Sequence, residues 1–139
     1  MLSYDTIWET FKIISGYNDS DLPQDESVIY ATIHSGIYLY NQQQKKYPNR
    51  LLNKITYNDG IESIDVELDE QCLLVLCYLI ASVVANNELN EFTSVWGVFA
   101  KEAGISNIKA QTDAKTEKRK FFENQAERII EDLIDSFEL

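Results

Sequence analysis

A chain of 139 residues, 45% apolar and 12% aromatic, holds material for one hydrophobic core and not for two. That apolar content excludes a disordered chain, and a formal charge of −11 sets most of the surface against nucleic acid and anionic membrane. Five glycines and two prolines leave little for long loops and favour helices.

The first helix is expected to take Ser3 as its N-cap and to run to about Ser15, with Ile7, Phe11 and Ile14 on one stripe, Trp8 widening it and Gly16 as the stop. A polar loop with Asp19, Ser20, Asp21 and Pro23 follows. Asp21 followed by Pro23, Asp25 and Glu26 signals the start of a second helix, predicted from about Pro23 to Gln43, the acids of its first turn complementing the exposed amides. Ile29, Ile33, Ile37 and Tyr40 form one face of that helix; Tyr30, His34 and Tyr38 form a neighbouring, more polar one. The connector QQQKKYPNR opens a stretch, 45–54, with four basic residues (Lys45, Lys46, Arg50, Lys54) and no acid.

In residues 54–68, KITYNDGIESIDVEL, the period changes. Asn58-Asp59-Gly60 between short β-prone runs signals a hairpin. Two strands alone are marginal in water, so this hairpin is expected to lean on the helices or to pair with another chain. Asp69 should cap a third helix, DEQCLLVLCYLIASVVANN, which is apolar on nearly every side and therefore central or covered by a second subunit. Its apolar run, 72–85, reads as too short to span a bilayer. A fourth helix is expected over ELNEFTSVWGVFAKEAGI, with Phe92, Val95, Trp96 and Phe99 at helical spacing and Gly104 as its stop.

The last helix runs from about Ser106 to the C-terminus, with Phe122, Ala126, Ile129, Leu133 and Phe137 in a stripe. Its front half, NIKAQTDAKTEKRK, is almost wholly polar, so it either projects into solvent or docks on something polar. That half holds a second basic island, 109–120, in which Lys109, Lys115, Lys118, Arg119 and Lys120 outnumber Asp113 and Glu117. Outside the two islands the chain carries −18. The reading is mainly α: a compact bundle of about five helices with one short hairpin and a long C-terminal helix, one domain over 1–139.

Little here suggests chemistry, and no enzyme, cofactor or metal is expected. His34 is the only histidine, and a lone helical histidine beside Tyr30 and Tyr38 is most simply structural. P-loop, GxGxxG, nucleophile-elbow and zinc-ligand spacings are all missing. Asp65, Glu67, Asp69 and Glu70 read as the wet side of a strand followed by a helix cap. Cys72 and Cys77, five residues apart, point in different directions on a helix and read as buried thiols in a reducing compartment. The opening MLSYDTIWETFK shows no signal peptide, so an intracellular, soluble protein is expected.

The Ile-rich second helix DESVIYATIHSGIYLYNQQ, the excursion KITYNDGIESIDVEL, the acid-capped apolar helix DEQCLLVLCYLIASVVANNEL and the long charged C-terminal helix follow one another over residues 20–139. In this order of elements the chain resembles the small head–tail connector (adaptor, or head-completion) proteins of long-tailed bacteriophages. The resemblance implies a virion protein that forms a ring, typically twelvefold, between the portal and the tail or a second connector, with DNA passing through the hole unread, and no membrane contact. It implies that 106–120 or the end of the last helix meets the portal or a neighbour, and that the hairpin pairs or stacks between subunits. Lys45, Lys46, Arg50, Lys54, Lys109, Lys115, Lys118, Arg119 and Lys120 become candidates for the lumen or for acidic flanks of adjacent subunits. The first helix, with Trp8, is longer and more apolar than that pattern. An alternative of another class is a small acidic phage-encoded inhibitor that mimics DNA; its charge favours it and the basic islands oppose it. A regulatory or antitoxin-like module has no positive feature in the sequence.

Overall fold

In a computed structural model of the protein, residues 2–46, 54–96 and 105–138 are described. The chain is mainly helical. Strand β1 (Leu2–Ser3) leads into α1 (Tyr4–Ser15), a short 3-10 turn (Asp19–Asp21) and α2 (Glu26–Lys46). After β2 (Tyr57–Asn58) and β3 (Ser63–Ile64) come α3 (Glu70–Trp96) and α4 (Ile105–Glu138).

The caps follow the local chemistry. The Ser3 side chain accepts from the Thr6 amide at 3.1 Å, and Gly16 closes α1 in the left-handed region at φ 74, its N–H donating to Lys12 O. Asp69 caps α3, its Oδ1 accepting from the Cys72 amide at 2.7 Å. α2 starts later than the acids suggest. Asp25 is the residue whose carboxylate accepts from the Ser27 amide (2.9 Å) and hydroxyl (2.8 Å), while the Gln24 amide bonds the carbonyls of Asp19 and Leu22 and keeps that stretch in the loop.

Among the described residues four helices are seen where about five were expected along the whole chain. α3 runs through Asn86-Asn87, so the start of the predicted fourth helix is a continuation of the third; residues 97–104 lie outside the described part. Asparagine weakens a helix by bonding nearby backbone. Here Asn86 Oδ1 instead accepts from Arg119 Nη1 at 3.3 Å, and Val84 and Ala85 are buried beside it.

The hairpin forms, and it is not alone. The sheet order is β1-β3-β2, antiparallel, with Leu2 opposite Ile64 on one side of β3 and Tyr57 opposite Ile64 on the other. The N-terminal strand thus supplies within the chain the partner that a two-stranded ribbon lacks. In the turn, Asn58 Oδ1 accepts from the Gly60 amide at 2.8 Å, and Glu62 sits at φ 53.

α3 is central, packed on by α1, α2 and α4. Val75, Leu76, Cys77, Ile80 and Ala81 on successive sides of it are fully buried, which is why it shows no polar face. The stretch Glu70–Ser94 is, against the reading of the shorter apolar run, long and apolar enough to cross a membrane; in this fold its apolar sides meet three helices of the same chain. α2 crosses close by: a Cβ on buried Gly36 would fall well inside contact distance of Ile80 Cγ1. The thiols of Cys72 and Cys77 are buried, and that burial pushes their pKa values up to about 11 and about 12.

Candidate interaction surfaces

The first basic island is not gathered into one described patch. Lys45 and Lys46 end α2, Lys54 is exposed ahead of β2, and Arg50 lies outside the described residues.

The second island divides in two. Lys109 and Lys120 are exposed. Lys115, Lys118 and Arg119 turn onto the protein. Lys118 Nζ lies 4.0 Å from the centroid of the Tyr17 ring and 3.7 Å from Glu88 Oε2, and Lys115 Nζ lies 5.4 Å from the centroid of Phe92. Arg119 bonds Asn86 and stands 3.7 Å from Glu123. The later part of the polar front half of α4, from Lys115 to Arg119, therefore lies on its own α3 and the loop after α1, while residues 109–111, 113 and 114 ahead of it are exposed. A cationic head over an aromatic face, with its methylene stem along apolar surface, is a favourable way to seat such a helix.

Two open recesses flank this seam. One, of about 500 Å³, lies between Tyr17, Asp21, Glu88, Glu91, Phe92 and the two lysines. The Tyr17 hydroxyl is buried there without a bonded partner among the described residues, and burial, followed by the Glu88 carboxylate, raises its pKa. The other, of about 560 Å³, is a mixed polar groove where α2 (His34, Ser35, Tyr38), α3 (Ser82, Asn86, Asn87) and α4 (Arg119, Glu123) meet.

His34 has a specific task that its setting beside Tyr30 and Tyr38 did not indicate. Its Nε2 is 2.8 Å from Asp59 Oδ1, and its ring stacks on Tyr57 with centroids 4.2 Å apart and planes 18° from parallel. The same Asp59 oxygen accepts from the Tyr4 hydroxyl at 2.5 Å. The Tyr4 bond, then His34, holds the Asp59 carboxyl below the usual carboxylate range, while burial and then Asp59 raise the Tyr4 phenol. One carboxylate thus ties α1, α2 and the hairpin together. A second tie is Asn41, whose side-chain amide makes both backbone bonds of Ile55, at 2.8 and 3.0 Å. No sequence periodicity encodes either tie; the one available signal was an Asx-Gly turn in a chain with a single histidine.

The acids at the hairpin exit keep to local work: Asp65 accepts from the Thr56 hydroxyl at 3.2 Å and Asp69 caps α3. Among the described residues, no group of three or more histidine, cysteine or carboxylate side chains is placed to hold a metal.

Comparison with known proteins gives the chain its kinship. The model of the YomZ prophage protein family matches residues 1–137. YomZ of the SPbeta prophage of Bacillus subtilis (strain 168) is 31% identical over 130 residues, which cover 94% of each chain. No solved structure matches. With almost the whole length matched by both, the chain belongs to the YomZ family of prophage proteins and is a phage protein.

Proposed function

We propose that this phage protein is a structural subunit of the particle, a head–tail connector that assembles as a ring between portal and tail with DNA passing through it. The observation that carries the reading is a compact helical bundle with a small sheet that ends in a 34-residue helix, in a chain of prophage kinship. Such a helix is about 51 Å long at 1.5 Å per residue, long enough to reach past a small bundle to a neighbour. Of the basic residues, Lys54, Lys109 and Lys120 are exposed and available to DNA or to an adjacent acidic surface, whereas Lys115, Lys118 and Arg119 are already engaged within the chain.

The test is deletion of the gene in a lysogen, followed by induction and electron microscopy of the lysate. The connector reading expects filled heads and complete tails that fail to join, with joining restored by the gene supplied in trans, and it expects the protein in purified wild-type particles. Intact particles lacking the protein would hand the case to the acidic inhibitor.

A further inference from the structure

The starts of α1 and α2, with Gln24 of the loop before α2, line a recess of about 270 Å³. Its walls are aromatic and aliphatic: Tyr4, Trp8, Ile29 and Tyr30, the tyrosines edge to face with centroids 4.9 Å apart. Two carboxylates, Asp5 and Glu26, stand on its lining, both in exposed residues. Around it the chain is acidic: within residues 1–44, six acids (Asp5, Glu9, Asp19, Asp21, Asp25, Glu26) face one base, Lys12. Such a recess suits an aromatic side chain accompanied by a cation.

The molecule displays that combination elsewhere on its own surface. Phe121 is 54% exposed in the middle of α4, although Phe122 beside it is buried. Its ring rests edge-on against Phe122, centroids 5.7 Å apart. Exposed Lys120 adjoins it and exposed Arg128 lies two turns on, along the same stripe. Glu117, one turn before, is the acid nearest in the helix repeat, and Glu123 and Glu127 are exposed on the same part of α4; Lys120 and Arg128 are the cations that border the ring.

We propose that Phe121 of one copy enters the Tyr4–Trp8–Tyr30 recess of the next, with Lys120 and Arg128 set against Glu26 and Asp5. The occupant is thus a second copy of this chain, chosen by the match of aromatic knob to aromatic recess and of cation to carboxylate. Knob and recess are different surfaces, so the contact is head-to-tail and leaves one copy with its recess open and the other with its knob open. It rests on the ring reading above and names the contact by which copies in such a ring would meet.

The experiment is light scattering of purified chains across a concentration series, with circular dichroism as a check on folding. Asp5→Lys/Glu26→Lys reverses the recess and Lys120→Glu/Arg128→Glu reverses the knob. Each variant alone should self-associate at least about tenfold more weakly than wild type, because like charges then meet at every contact. Mixed in equal amounts they should associate again to within about twofold of wild type, since every recess then finds a knob of opposite sign. Phe121→Ala should weaken association without any such rescue. A wild-type chain monomeric at millimolar concentration, or association indifferent to both reversals, overturns the contact. Neither outcome touches the connector reading, which the lysogen test judges separately.

Discussion

The rear of α4 and the hairpin hang on the same bundle and are held there by opposite kinds of contact. Phe122, Ala126 and Ile130, four residues apart, lose nearly all their exposure against the rest of the core. That attachment is non-directional and scales with the apolar area removed from water. The hairpin does bury Ile55 and Ile64, but its position is set by individual polar bonds: Asp59 to Tyr4 and His34, and Asn41 to the Ile55 backbone. Bonds of that kind have fixed partners, and losing one partner strands the other. The helical part should therefore weaken as a whole, and the hairpin should come loose by itself.

The sharpest way to break that contrast is at the shared centre. Leu76 is fully buried in α3, and Leu76→Ala should cost about 2–5 kcal/mol by removing methyl groups and leaving a cavity. Urea unfolding followed by tryptophan fluorescence and by circular dichroism should shift together. Separate transitions would mean that the bundle is not one cooperative unit.

Next in size is the α2–α3 crossing. Gly36→Ala puts a methyl group against Ile80, and the overpacking should cost about 1–3 kcal/mol. Adding Ile80→Ala should make the pair less damaging than the two separate effects combined. Strict additivity would show that the helices do not meet there as closely as described.

Asn41→Ala then probes the other kind of attachment. It orphans the N–H and C=O of buried Ile55, at a cost of about 1–3 kcal/mol. Hydrogen exchange should quicken in residues 55–65 and stay unchanged at Leu76 and Ile80. Uniform quickening would erase the distinction between the two regions.

That distinction also governs what the residues alone disclose. Apolar stripes and caps show in the order of residue types, so Ser3, Gly16, Asp69, the central α3 and the Phe122 stripe were all legible. The Asn58-Asp59-Gly60 turn was legible too, because its chemistry is local. What escaped is non-local and polar. Leu2–Ser3 is too short to carry an alternation, so its pairing with β3 had no signature. Asn41 and Asp59 act across 14, 25 and 55 residues, distances at which no period constrains them. α3 continues through Asn86-Asn87, where the Asn86 side chain is bonded by Arg119, 33 residues on, which an asparagine pair read by propensity cannot reveal. The basic island 109–120 was visible as charge, but whether a lysine is free or laid over Tyr17 depends on the packing of α4.

The smallest expected effect isolates a single tie of the hairpin. Asp59 is held below its ordinary value of 3.8 by Tyr4 first and by His34 second, so near that pH the folded chain binds fewer protons at this position than the unfolded one. Its contribution to stability is therefore complete above the ordinary value and is lost as pH falls through the lower, folded one. Asp25 behaves alike through Ser27, so acid weakening of the wild type alone does not identify Asp59. The difference between wild type and Asp59→Asn does: the variant lacks this one titration, and the gap between the two urea midpoints should narrow on going from neutral pH to below about pH 4. Since Asp59 is half exposed, water screens the bond and the gap at neutral pH should itself be small. A gap that stays constant with pH would mean that Tyr4 and His34 hold the protonated Asp59 carboxyl as well as they hold the carboxylate. The hairpin would then be held by the shape of the turn, and its attachment would resemble that of α4 more than the hydrogen bonds imply.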